Sequence, residues 1–225
     1  MFSCFNVMKK QLRRNICRLD DHVLLSEVRD LPACRATYIG GALEYACHFW
    51  TNHLVRIPAG GPDVKEVLSA INKFFKRHLL FWIEVLSLTG NLDIGVHALN
   101  NVQQWYTSVS SIIRCPLRKH MLMLVQAGVS CKWANDGCRL LLEYFDAIHD
   151  SPSQIYHSAL QFSPSSSQLR KYYATELSQE VEVVKGLPVE WGMCSRTVAL
   201  DDRPYTGMLE RYHCSWFGIQ GYHHL

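Results

Sequence analysis

The 225-residue sequence predicts an all-α chain, a multi-helix bundle or array with a short β segment near its C-terminal end. Three observations predict it. Apolar residues recur at helical spacing from Phe5 to Tyr173. The run Leu79–Leu88, LLFWIEVLSL, is apolar around its whole circumference, as a central buried helix is. Only beyond Ser178 does the period change, to the alternation of EVEVVKGLP and CSRTVAL with their β-branched residues.

Each element follows from its pattern. In CFNVMKKQLRRNIC, Phe5, Met8, Leu12 and Ile16 share one helix side and Lys9, Lys10, Arg13 and Arg14 the other. The chain starts inside this helix, which is unusual for an independent domain. In Ile39–Leu54 the stripe is Ile39, Ala42, Leu43, Ala46, Phe49, Trp50, His53 and Leu54, with Glu44, Thr51 and Asn52 on a solvated face. PAGGP at Pro58–Pro62 breaks that helix, and Pro62 suits the first turn of the next. There Val64, Val67, Leu68, Ile71, Phe74 and Phe75 form the buried stripe. Gly90 stops the central helix. Leu92, Val96, Leu99, Val102, Tyr106, Val109 and Ile113 carry the next one as far as Cys115-Pro116, since proline disfavours helix at the preceding residue.

Leu117–Ile148 reads as helix interrupted by Gly128 and Gly137, ending in a stripe of Cys138, Leu141, Leu142, Phe145 and Ile148. Ser151-Pro152-Ser153-Gln154 has the spacing of a capping box and starts a short helix through Leu160. Ser163-Pro164 repeats the signal ahead of Leu169, Tyr172 and Tyr173. The expected organisation is a helical module over 1–177, with 1–57 and 62–177 as subregions, a β-rich part over 178–204 and an irregular tail over 205–225.

Composition narrows the class. With 48% apolar and 19% charged residues the chain has enough core for a globular fold. A net charge of +3, and a basic helix face with no aromatic residues interleaved, argue against a nucleic-acid partner. The most apolar run is half the length of a membrane span, which needs about twenty residues. Nine cysteines without any CxxC, and no signal peptide, point to a reducing, cytoplasmic compartment with free thiols.

The sequence holds no GxxxxGK[ST] loop, no GxGxxG after a strand, no HExxH and no GxSxG. His48 and His53 are five apart and fall on different helix faces. His213-Cys214 with His223-His224 lacks the spacing of zinc folds. Glu84, the one charge in the central run, has the surroundings of some catalytic acids. The favoured reading is a carboxylate at the helix edge, bonded to neighbouring backbone or an arginine. The aromatic residues Tyr45, Phe49, Trp50, Phe74, Phe75 and Trp82 read as core. The sequence thus predicts no catalytic, cofactor-binding or metal residue, no cofactor, and no enzyme.

The ordered motifs NICRLDD, EVRDL, IGGALEYACHFWTNHL, FKRHLLFWIEVLSLTGNL, DAIHDSPSQIYHSALQFSPSSSQLRKYY and VKGLPVEWGMCSRTVALDD carry a resemblance. From about Cys4 to Pro204 the chain resembles the fungal NACHT and WD-repeat proteins, NOD-like receptors of the STAND NTPase class. The resemblance implies the helical region between the NACHT NTPase module and the C-terminal propeller, and the entry to that propeller. The family's nucleotide-binding residues and its GH…WD blades have no counterpart here. The implied role is a non-enzymatic linker and packing module, present as a truncated or fragmentary product, with protein partners: the NACHT and propeller neighbours, or another copy. The alternative is a free-standing adaptor or decoy that pairs with full-length receptors. The tail past Pro204 suits no regular element. It is either an ordinary terminus or a frameshifted propeller strand, because Tyr and His codons read one nucleotide later become Ile or Thr ahead of C or T.

Overall fold

The computed structural model describes residues 1–113, 131–177 and 185–192. Among them the chain is mostly helical. In order come α1 (Phe2–Gln11), α2 (Leu31–Tyr38), α3 (Gly41–Leu54), α4 (Val64–Arg77), α5 (Leu79–Leu88), α6 (Leu92–Ile113), α7 (Cys131–Glu143), α8 (Phe145–Asp150) and α9 (Gln168–Tyr172). A π-helical turn spans Ile155–Ala159, and 3-10 turns lie at Leu25–Glu27 and Ala174–Glu176.

The centre is α5. Every residue from Trp82 to Leu88 is buried, and α3, α4, α6 and α8 pack around it. Its circumference is apolar because it has neighbours on all sides. Phe5 of α1, Trp50 of α3, Phe74 of α4 and Trp82 of α5 form one aromatic knot with centroids 5.1–6.0 Å apart. Such pairs add attraction beyond the apolar area they bury. Trp82 also donates its indole N–H to the Cys47 carbonyl at 2.8 Å. The stripe of α4 is buried at all six expected positions. Gly90 has φ +71 and ends α5, with the Asn91 N–H bonded to the Leu86 carbonyl at 2.9 Å.

α6 and α7 pack along each other, and glycines make this possible. A Cβ on Gly95 would lie 2.9 Å from Leu141 Cδ1 and 3.0 Å from Leu86 Cδ1. One on Gly137 would lie 3.1 Å from Leu99 Cδ1. Gly137 therefore does not interrupt a helix: α7 runs through it, and its missing side chain lets the neighbour close in. The expected break at Gly128 lies outside the described residues.

Other expectations are corrected. The N-terminal helix ends at Gln11 instead of reaching Cys17: Leu12 is extended and Asn15 adopts φ +48. Ile16 is still buried, but from a turn. In α3 the buried arc is Leu43, Ala46, Cys47, Trp50, Thr51 and Leu54. Thr51 lies inside it, whereas Tyr45 and Phe49 are exposed. Small Ala46, Cys47 and Thr51 let α3 lie close to its neighbours, and a helix cannot bury Phe49 on the opposite side of the same arc.

No capping box forms at residues 151–154. Ser151 Oγ bonds Ser153 Oγ at 3.1 Å, and the turn that follows is π-helical. The short helix α2 was not expected, although Asp30 caps it by accepting the Ala33 N–H at 3.1 Å and Pro32 sits in its first turn.

No strand occurs among the described residues. Of the expected β part, 185–192 is described: the Ser165 and Ser166 N–H groups donate to the Pro188 and Val189 carbonyls at 3.0 and 3.1 Å. Pro188 has no N–H to return, so no ladder grows. Residues 178–184, 193–204 and the tail 205–225 lie outside the described residues.

Trp82→Ala is expected to lower the unfolding free energy by about 3–5 kcal/mol, the usual cost of deleting a buried aromatic side chain. Urea unfolding followed by circular dichroism checks it; a loss under about 1 kcal/mol contradicts the packing of α5.

Candidate functional site

The most chemically charged place in the fold is Glu84. It sits in the middle of α5, not at a helix edge, and is 3% exposed. Three donors converge on its carboxylate. The Ile16 N–H donates to Oε1 at 2.9 Å, and the Asn15 N–H to Oε2 at 3.1 Å. The Tyr156 hydroxyl donates to Oε2 at 2.7 Å. The sequence reading foresaw backbone partners but not Tyr156, which reaches in from the π-helical turn. Arg14 does not bond the carboxylate: its guanidinium lies 4.4 Å over the Tyr156 ring and pairs with Glu176 at 3.5 Å.

Asn15 prepares this geometry. Its side chain accepts the Leu19 N–H at 2.8 Å and donates to the Leu19 carbonyl at 2.7 Å, which holds a left-handed residue in a tight turn. Asparagine tolerates that conformation better than most residues. The turn then points two consecutive N–H groups at α5.

Burial raises the Glu84 carboxyl above the ordinary value of 4.5 and outweighs the three donors and Arg14, all of which act the other way. The same burial, with the Glu84 charge, pushes the Tyr156 hydroxyl up. A small cavity of about 30 Å³ opens beside them, lined by Arg14, Cys17, Asp20, Glu84, Ser153 and Tyr156 among others. That is room for about one water molecule. Both oxygens of Glu84 accept hydrogen bonds from the protein.

On the rim, the His22 and His157 rings meet at a tilt with centroids 4.3 Å apart, His157 Nε2 is 3.7 Å from Asp21 Oδ1, and the His22 backbone N–H donates to Ser153 Oγ at 3.1 Å. Among the described residues no group of three or more His, Cys, Asp or Glu side chains could hold a metal ion. His48 and His53 are separated, as their spacing implied: His48 meets Thr89 at 3.5 Å and His53 meets Tyr45 at 3.2 Å. His213, Cys214, His223 and His224 lie outside the described residues.

A second buried carboxylate went unnoticed in the sequence. Asp136 of α7 accepts the Gln168 N–H at 2.7 Å, the Ser167 hydroxyl at 3.2 Å and the Trp191 indole N–H at 2.9 Å. It caps α9 from another helix and anchors the 185–192 segment. A lone aspartate in a helix carries no signal for this, because its partners are more than thirty residues away.

Glu84→Ala is expected to cost at least about 3 kcal/mol, since three buried donors lose their acceptor at about 1–3 kcal/mol each. Glu84→Gln also destabilises, with a pH signature. As pH rises past 4.5 the unfolded chain releases its Glu84 proton while the folded chain keeps it, so the contribution of Glu84 to stability falls with rising pH. The stability gap between wild type and Glu84→Gln should therefore be widest below that value and narrow above it. Urea titrations at a series of pH values test this, and a gap that widens with pH would contradict the assignment.

No family model matches the chain, and no solved structure matches it. The chain is similar to the vegetative incompatibility protein HET-E-1 of Podospora anserina, at 28% identity over 199 residues. The match covers 86% of this chain and 13% of that protein, so the chain spans about an eighth of the length of the curated relative. No described helix is long and apolar enough to cross a membrane. The similarity links the chain loosely to a fungal incompatibility protein over nearly all of its own length.

Proposed function

We propose that this chain is a non-enzymatic helical packing module of a fungal NOD-like receptor, working in the cytoplasm between an NTPase module and a WD-repeat propeller. The observation that carries the reading is the similarity to HET-E-1, which takes in 86% of this chain but 13% of the relative, as a shared module within a larger protein does. The described residues also put their buried charges to structural use: Glu84 receives a turn and Tyr156, and Asp136 receives α9 and Trp191. The partners in this reading are the neighbouring modules of a receptor, or a second copy of the chain.

The second reading, an adaptor or decoy that pairs with full-length receptors, is favoured by the exposed aromatic ridge on α3. The Tyr45 and Phe49 rings meet at a tilt with centroids 5.0 Å apart and stand half in solvent. A ridge of this kind on a free protein marks an interaction surface.

A chimera separates the two. The matched segment of HET-E-1 is replaced by this chain, and the incompatibility reaction is scored. A module exchanges with the function kept; loss of function in a stable, full-length chimera counts against the module. An adaptor instead binds intact HET-E-1 in trans, and Tyr45→Ser with Phe49→Ser abolishes that binding. The chain by itself is expected to give no saturable heat with ATP or GTP in calorimetry, because its 225 residues encode no phosphate-cradling loop. Micromolar binding by the folded chain overturns the non-enzymatic reading.

A further inference from the structure

Two thiols meet where α2 lies against the turn that Glu84 holds. Cys34 of α2 donates its thiol to the Cys17 carbonyl at 3.3 Å, which brings the two cysteines into contact. Both are free. Cys17 is buried, and Cys34 is partly open to solvent. Arg35 lies beside them, and its Nε is buried with no hydrogen-bond partner among the described residues. Cys34, the more exposed of the two, is the thiol that an oxidant in solvent reaches first.

α2 itself is loosely seated. None of its residues is fully buried, and besides the Cys34 contact it is tied to the turn by Arg18, whose guanidinium lies 5.6 Å from the Tyr38 ring. We propose that Cys17 and Cys34 are an oxidation site, forming a disulfide with a hydroperoxide as oxidant and so fastening α2 to the turn at residues 14–18.

The chemistry balances. The Cys34 thiolate attacks one peroxide oxygen, forming S–O as O–O breaks, and the departing alkoxide or hydroxide takes up a proton. Cys17 sulfur then attacks the Cys34 sulfenic acid: S–S forms, S–O breaks, and hydroxide leaves as water with the Cys17 proton. Two thiols lose two electrons and the hydroperoxide gains them. Cys34 reacts first, because burial and the neighbouring Cys34 thiol push Cys17 up to about 12.

The test treats the full chain with hydrogen peroxide, blocks remaining thiols and maps peptides after trypsin without reduction. Cleavage at Arg14, Arg18, Arg29 and Arg35 releases residues 15–18 and 30–35, expected to appear joined and lighter than their sum by two hydrogens. Closing this loop should raise the thermal midpoint by several degrees, reversibly with dithiothreitol. Cys34→Ser, a near-isosteric change at a partly exposed position, should fold with an unchanged spectrum and show neither effect. Free thiols after peroxide, sulfinic acid at Cys34 without a link, links from either residue to another cysteine, or a link with no change in midpoint each overturn the proposal.

Discussion

The fold depends on how the Glu84 carboxylate is satisfied. A carboxylate in the middle of an all-buried helix costs several kcal/mol unless hydrogen bonds replace its water. Three donors do so, from two separate parts of the chain: two N–H groups from the turn after α1, and a hydroxyl from the turn after α8. The requirement is mutual. The turn at 14–17 breaks helix at Leu12 and leaves two backbone N–H groups facing the interior, and only an acceptor on α5 can take them. Placing the acceptor fixes where α1 ends, where α5 sits in depth, and which way Tyr156 points.

Packing around that polar knot follows two further constraints. Four aromatic rings from α1, α3, α4 and α5 meet in one cluster, which sets the spacing of those helices. Gly95 and Gly137 allow α6 and α7 to approach more closely than any side chain would permit. The Tyr173 hydroxyl ties the α4–α5 junction, donating to the Phe75 carbonyl at 2.7 Å and accepting the Leu79 N–H at 2.9 Å. Buried Trp50 Nε1 and Tyr106 Oη have no hydrogen-bond partner among the described residues, where the packing of their rings offsets the missing bond.

This use of polar groups bears on function. The donors on Glu84 tie the turn after α1 and Tyr156 to the central helix. The raised pKa of Glu84 comes from burial, and a structural carboxylate and a catalytic one share that property. The pKa therefore does not choose between them. The Asp136 site repeats the pattern, joining two chain segments through one acceptor.

The amphipathic and all-apolar periods of the sequence determined α4, α5 and α6 with their buried stripes, because a helix imposes one repeat on every residue it contains. Gly90 as a stop and the break at Pro58–Pro62 were equally local, since both act through backbone conformation. What the tertiary structure alone decided lay in bonds between distant residues. The end of α1 at Gln11, the exposure of Phe49 in place of Thr51, and Gly137 as a contact point all depend on a neighbour that local pattern does not name. The partners of Glu84 and Asp136 were hidden for the same reason: a carboxylate shows its charge in the sequence, but the donors that neutralise its cost are chosen by the packing of the chain.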